Sequence, residues 1–144
     1  MSLVDACERS VELFATSAKA KGVDFDFVLA ENSNIIAPPV HLDILVRNLI
    51  ENAVKYSVPK SEIIVSIQSG KTGGKLRVLN RCKVNTIWDE SKVFEPFYRP
   101  DTSRSSETGG NGLGLALCKA VADANGWKIS ISCKQENVVA QVEF

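Results

Sequence analysis

Apolar residues recur along residues 3–21 at Val4, Cys7, Val11, Leu13, Phe14 and Ala18, a spacing of three and four that predicts an amphipathic helix closed by Gly22. Beyond the glycine the period falls to two. Val23, Phe25 and Phe27 alternate with Asp24 and Asp26, predicting a strand to Leu29, and Asn34–Ala37 reads as a second short strand. Pro38-Pro39 sets up a helix start, and LDILVRNLIENAVKYS runs helically until Ser57 and Pro59 stop it. Ile63–Gln68 and Leu76–Leu79 are β-rich and flank SGKTGG, a hairpin-like connection. Residues from Asn80 to Asn111 show little periodicity, and a loop of that length in a compact domain is usually functional or disordered. Gly112 opens a third helix, LGLALCKAVADANG, which Gly126 ends, and Lys128–Cys133 with Val138–Phe144 make a final strand pair. Three helices and about six strands, segregated along the chain, predict an α/β (α+β) two-layer sandwich: a mixed, largely antiparallel sheet against three helices.

The length of 144 residues suits one domain. Seventeen basic residues balance seventeen acidic ones, so the cationic surface that phosphate-backbone binding needs is missing and nucleic acid is not an expected partner. No apolar run is long enough to cross a bilayer, so this fragment is expected to be cytoplasmic and to make no membrane contact. Met1–Leu3 is compatible with a start inside a longer protein, whose membrane anchor would lie upstream. Cys7, Cys82, Cys118 and Cys133 form no CxxC pair and have one histidine for company, so reduced, mostly buried thiols are expected rather than a zinc site.

Chemistry concentrates in two places. On a helical wheel the second helix turns Leu42, Leu45, Leu49 and Ala53 to one side and Asn48, Glu51, Asn52 and Lys55 to the other. A solvated face with a Glu51–Lys55 ion pair would explain that arc. Two asparagines serve such a face poorly, because Asn is a weak helix former. A carboxamide oxygen does suit Mg²⁺, which keeps most of its waters and shares phosphate oxygens. The second place is GGNGLGL, Gly109 to Leu115, where glycines and a helix N-terminus could receive a phosphate. It lacks the lysine of a P-loop and the strand-turn-helix setting of a dinucleotide fold.

Taken together, NLIENAVKYS (Asn48–Ser57), FEPFYRPD (Phe94–Asp101) and GGNGLGLAL (Gly109–Leu117) resemble, in order and spacing, the N box, F box and second glycine box of sensor histidine kinase catalytic domains. These belong to the wider group that includes gyrase, Hsp90 and MutL. The resemblance covers almost the whole chain and implies a Bergerat-type ATP-binding fold with a flexible lid. It implies ATP and Mg²⁺ as ligands, Asn52 as the metal residue, and Asn48 assisting at the phosphates, the two asparagines being the catalytic pair. Lys55 and Arg99 would touch the phosphate chain, Tyr56 would line the nucleotide pocket, and Glu51 would stand behind the ligating residues. Gly110, Gly112 and Gly114, with Leu113 among them, would form the lid hinge and phosphate cradle. The implied partners are the histidine-bearing dimerisation domain of a parent kinase and a response regulator.

Where the family has Asp-x-Gly-x-Gly to receive adenine, this chain has Asn80-Arg81-Cys82-Lys83-Val84. Asn80 keeps an acceptor without the charge, and the glycines are absent. That departure sets a second reading beside the first: a degenerate domain with weak or no nucleotide binding that regulates by binding protein. A hydrolysing ATPase of the gyrase or MutL kind would want a glutamate at Asn48. His41 reads as a helix-start residue and not as a phosphoacceptor, so the fragment alone is not expected to autophosphorylate. Phe94, Phe97 and Tyr98 could fold onto the core as lid residues, the reading favoured for Phe94, and Trp88 and Trp127 carry no functional reading.

Overall fold

The computed structural model describes residues 2–29, 35, 37–69, 73–100 and 112–144. Helix α1 (Leu3–Lys21) begins at Ser2, whose hydroxyl accepts the Asp5 N–H, and ends at Gly22 in the left-handed conformation. Strand β1 (Asp24–Leu29) follows, then α2 (Pro39–Tyr56), β2 (Glu62–Ser69), β3 (Gly74–Arg81), α3 (Gly114–Asn125), β4 (Lys128–Lys134) and β5 (Asn137–Glu143). The five strands form one sheet in the order β1-β2-β3-β5-β4, parallel only between β1 and β2. This is the mixed, mostly antiparallel sheet that the segregated pattern predicted.

Alternation along the strands sends Ile63, Val65 and Ile67, Leu76 and Val78, Ile131, and Val138, Ala140 and Val142 into one buried face. Helix α2 lies between α1 and α3 on that face and meets it with Leu42, Leu45, Val46, Leu49, Ile50, Ala53 and Val54. The predicted apolar stripe is therefore the keystone of the core. Cys118 Sγ donates to Leu45 O at 3.6 Å, and Asn125 Nδ2 lies 2.9 Å from His41 Nδ1, which fastens α3 to α2 at both ends. His41 thus sits at a helix start, as expected.

Two expectations need correction. Asn34–Ala37 gives no strand among the described residues: Ile35 and Ala37 are irregular, and Ile35 is buried as a plug against the core. The irregular region starts later than Asn80, because β3 continues through Arg81 by pairing with Asn137. Phe94 packs on the core as expected and Tyr98 does so too, whereas Phe97 is 72% exposed. Cys7, Cys82 and Cys118 are buried and Cys133 is half-buried, all as free thiols. No helix among the described residues is long and apolar enough to cross a membrane.

Candidate functional site

Two segments that lie far apart in sequence, the polar face of α2 and the start of α3, meet in one place. Asn48 Nδ2 donates to Ile44 O at 2.7 Å, which holds the amide against its own helix and turns Oδ1 outward. A Cβ on Gly114 would lie 2.9 Å from that Oδ1, closer than real side chains stand. Glycine at 114 is therefore what lets α3 start directly over Asn48. The N-cap residue Leu113 gives α3 no side-chain hydrogen bond, and its first turn has no acidic residue. Among the described residues no side-chain cap and no first-turn carboxylate offsets the positive end of the helix dipole, the condition in which a helix start attracts an anion.

Gly112 is needed for two reasons. Its φ is +72°, and a Cβ there would stand 2.7 Å from Phe97 Cα, a backbone atom that cannot turn aside. Phe97 N–H donates to Gly112 O at 2.9 Å, and Phe97 itself takes a positive φ of 67°. The FEPFYRP segment is thereby pinned to the approach of α3. Gly110, the other glycine assigned to the cradle, lies outside the described residues.

Further along the same face, Asn52 and Lys55 are half-buried and Glu51 is exposed. Burial and the nearby Arg99 guanidinium lower the Lys55 pKa, and Glu51 opposes them. Two cations stand close enough to disfavour each other, an arrangement that a phosphate chain between them would relieve. The Lys55 ammonium also lies 5.3 Å from the Tyr56 ring centroid. Lys21 Nζ donates at 2.9 Å to both Val54 O and Lys55 O, so α1 satisfies the last turn of α2 that carries these residues.

Tyr56 lies edge-on to Trp88, with ring centroids 5.0 Å apart, and Trp88 reaches Tyr98 at 6.4 Å. The Tyr98 hydroxyl accepts the Asp89 N–H at 2.6 Å. This aromatic row ties the end of α2 to the segment after β3. Sequence reasoning missed Trp88, since a single tryptophan in an aperiodic stretch carries no signal of its partners.

Asn80 occupies the helix-facing side of β3, is 2% exposed, and its Nδ2 has no hydrogen-bond partner among the described residues. The altered glycine box carries no backbone strain at the substituted positions. Positive φ falls at Asn85, a residue type that tolerates it, and neither Cys82 nor Val84 adopts it. Cys82 is buried and Val84 is 67% exposed.

No cluster of three His, Cys, Asp or Glu suited to a metal exists among the described residues. A cation here would rest on the Asn52 amide oxygen and on the ligand's own oxygens, which fits Mg²⁺ and its preference for retaining water. An open groove of about 390 Å³ is lined by Pro59, Lys60, Ile64, Leu79, Asn80 and Arg81, among others, and by none of Asn48, Asn52, Lys55 or Gly114. It is distinct from the polar face of α2 but borders Asn80.

Residues 37–144 match the family model described as histidine kinase-, DNA gyrase B-, and HSP90-like ATPase. Among curated relatives, sensor protein VanSC of Enterococcus gallinarum is 40% identical over 67% of this chain and 27% of its own length. Sensor histidine kinase CusS of Escherichia coli O157:H7 is 26% identical over 92% of this chain and 27% of its own length. Signal transduction histidine-protein kinase ArlS of Staphylococcus aureus is 32% identical over 80% of this chain and 26% of its own length. The chain spans about a quarter of each of these relatives. The solved catalytic domain of histidine kinase ThkA superposes with a TM-score of 0.80 at 22% identity, covering 99% of this chain and 92% of that one. Fold, motif order and family model converge: the chain belongs to the histidine kinase-, DNA gyrase B- and HSP90-like ATPase family.

Proposed function

We propose that this chain is the ATP-binding catalytic domain of a sensor histidine kinase. It binds ATP with Mg²⁺ and presents the γ-phosphoryl group to a histidine on a separate dimerisation domain. A response regulator then receives the group; ThkA has been solved in complex with response regulator TrrA. The observation that carries the reading is the contact between Asn48 Oδ1 and Gly114, which joins a helix start suited to phosphate with an amide face suited to Mg²⁺.

Bound Mg²⁺ would neutralise charge on the phosphate oxygens, and Asn52 would hold it. The protein's part is positioning and electrostatics. Lys55 and Arg99 supply positive charge to the phosphate chain, and the α3 start offers backbone N–H groups. Asn48 turns Oδ1 outward as an acceptor, and one of its two Nδ2 hydrogens is committed to Ile44 O. Oδ1 suits a backbone N–H or a metal-bound water, and the second Nδ2 hydrogen can donate to a phosphate oxygen. Asn80 and Tyr56 serve the base side. No observation favours the protein-binding, nucleotide-free alternative, since the substituted positions of the glycine box impose no strain.

Calorimetric titration with a nonhydrolysable ATP analogue, with and without Mg²⁺, tests this. Micromolar to submillimolar binding that needs Mg²⁺ and weakens at least about tenfold in Asn52→Ala is expected. Absence of heat and of competition up to millimolar nucleotide, from protein shown to be folded, would reject the reading.

A further inference from the structure

Of the buried side-chain polar atoms without a partner among the described residues, two gather near one end of α2. Asn80 Nδ2 is one: Val58, just past α2, donates its N–H to Arg81 O at 2.8 Å, so β3 and the exit of α2 lie side by side. Trp88 Nε1 is the other, on a ring that packs against Tyr56. An amide donor that is 2% exposed and unpaired is costly, and folded proteins keep such groups mainly where a ligand or water completes them.

The chemistry of the unpaired group limits what would complete it. A carboxylate only accepts hydrogen bonds, so at this position it would favour the amino group of adenine and repel an oxygen at the same ring position. A carboxamide carries a donor and an acceptor side by side in one plane. Adenine presents an N6 donor beside an N1 acceptor, and a 6-oxopurine presents an O6 acceptor beside an N1–H donor. A half-turn of the Asn80 amide about its last torsion exchanges the two patterns, and that torsion is broad and nearly two-fold.

Resting on the nucleotide-binding reading above, we propose that Asn80 reads the six-position edge of the purine and admits 6-oxopurine nucleoside triphosphates beside ATP. The phosphoryl donor of this domain is thereby not restricted to adenine. Hypoxanthine is the cleaner probe, because guanine adds a 2-amino group that must find its own space.

The test is calorimetry of the chain with the imidodiphosphate analogues of ATP, ITP and GTP in Mg²⁺, for wild type and Asn80→Asp. Wild type is expected to bind the adenosine and inosine analogues within about tenfold of each other, and Asn80→Asp to shift that ratio toward adenine by about tenfold or more. Rejection of the inosine analogue by more than about a hundredfold in wild type, or an unchanged ratio in Asn80→Asp, overturns the inference while leaving ATP binding standing. Failure of every purine analogue to bind the folded chain overturns both. Should Asn80→Asp not fold, the wild-type ratio decides alone.

Discussion

Two glycines bracket Leu113, and the structure separates their roles. Gly112 holds a positive φ and abuts Phe97 backbone, so Gly112→Ala should cost about 1–3 kcal/mol of stability, read as a lowered midpoint in urea denaturation. Gly114 has the Asn48 side chain as its nearest neighbour and is helical, where alanine is intrinsically better by about 1 kcal/mol. Gly114→Ala should therefore leave stability nearly unchanged and lower Mg²⁺-nucleotide affinity about tenfold, because Asn48 Oδ1 has to leave the position set by the Nδ2 hydrogen bond to Ile44 O. Equal losses of affinity and stability in both variants would contradict this division. Lys55 gives a third expectation. Burial and Arg99 lower its pKa, and a phosphate beside it would raise it again. Nucleotide binding should take up protons as buffer pH climbs toward the ordinary lysine value of 10.5, and calorimetry in buffers of different ionisation enthalpy would reveal it. At this scale the sequence was legible wherever helical spacing alone places residues together, as for Asn48, Asn52 and Lys55. It was silent on Trp88, whose partners come from the end of α2 and from the segment before α3.

Among elements, α2 carries both the core stripe and the polar face, so its last turn must be held firmly. Lys21 does this from α1 by donating to Val54 O and Lys55 O. Lys21→Met should cost about 1–2 kcal/mol and weaken nucleotide binding through the loosened Lys55 and Tyr56 turn. Denaturation and titration of the same variant would check both effects, and full stability would show that solvent replaces Lys21. Helix positions were readable because 3.6-residue periodicity is local. The strand expected at Asn34–Ala37 failed because a short apolar run also suits a buried plug, which is what Ile35 provides. The extension of β3 through Arg81 was hidden in the sequence, since its polar residues are carried by pairing with β5.

For the whole molecule, the thiols set an alkaline limit. Burial, with Glu8 adding to it, pushes Cys7 from 9.0 up to about 12, and burial also pushes Cys118 from 9.0 to about 12. Because the folded pKa lies above the unfolded one, the stability tied to each protonated thiol is complete below pH 9.0 and is lost as pH rises toward about 12. Unfolding free energy should fall by about 1.4 kcal/mol per pH unit for each thiol in that window, measurable by urea denaturation at stepped pH. A flat profile above pH 9 would show that the thiols ionise equally in both states. The sandwich architecture followed from segregated elements, while the strand order β1-β2-β3-β5-β4 is a long-range property that no local pattern records. The site proposed for nucleotide is where Asn48 faces Gly114. Amide chemical-shift mapping of the isotope-labelled chain, titrated with a nonhydrolysable ATP analogue and Mg²⁺, tests it most directly. The largest shifts are expected at Asn48, Asn52, Asn80, Gly112 and Gly114, with Lys60 and Ile64, on the groove that borders Asn80, unmoved; shifts at Lys60 and Ile64 with Asn48, Asn52 and Gly114 unmoved, or none at saturating nucleotide, would reject the site.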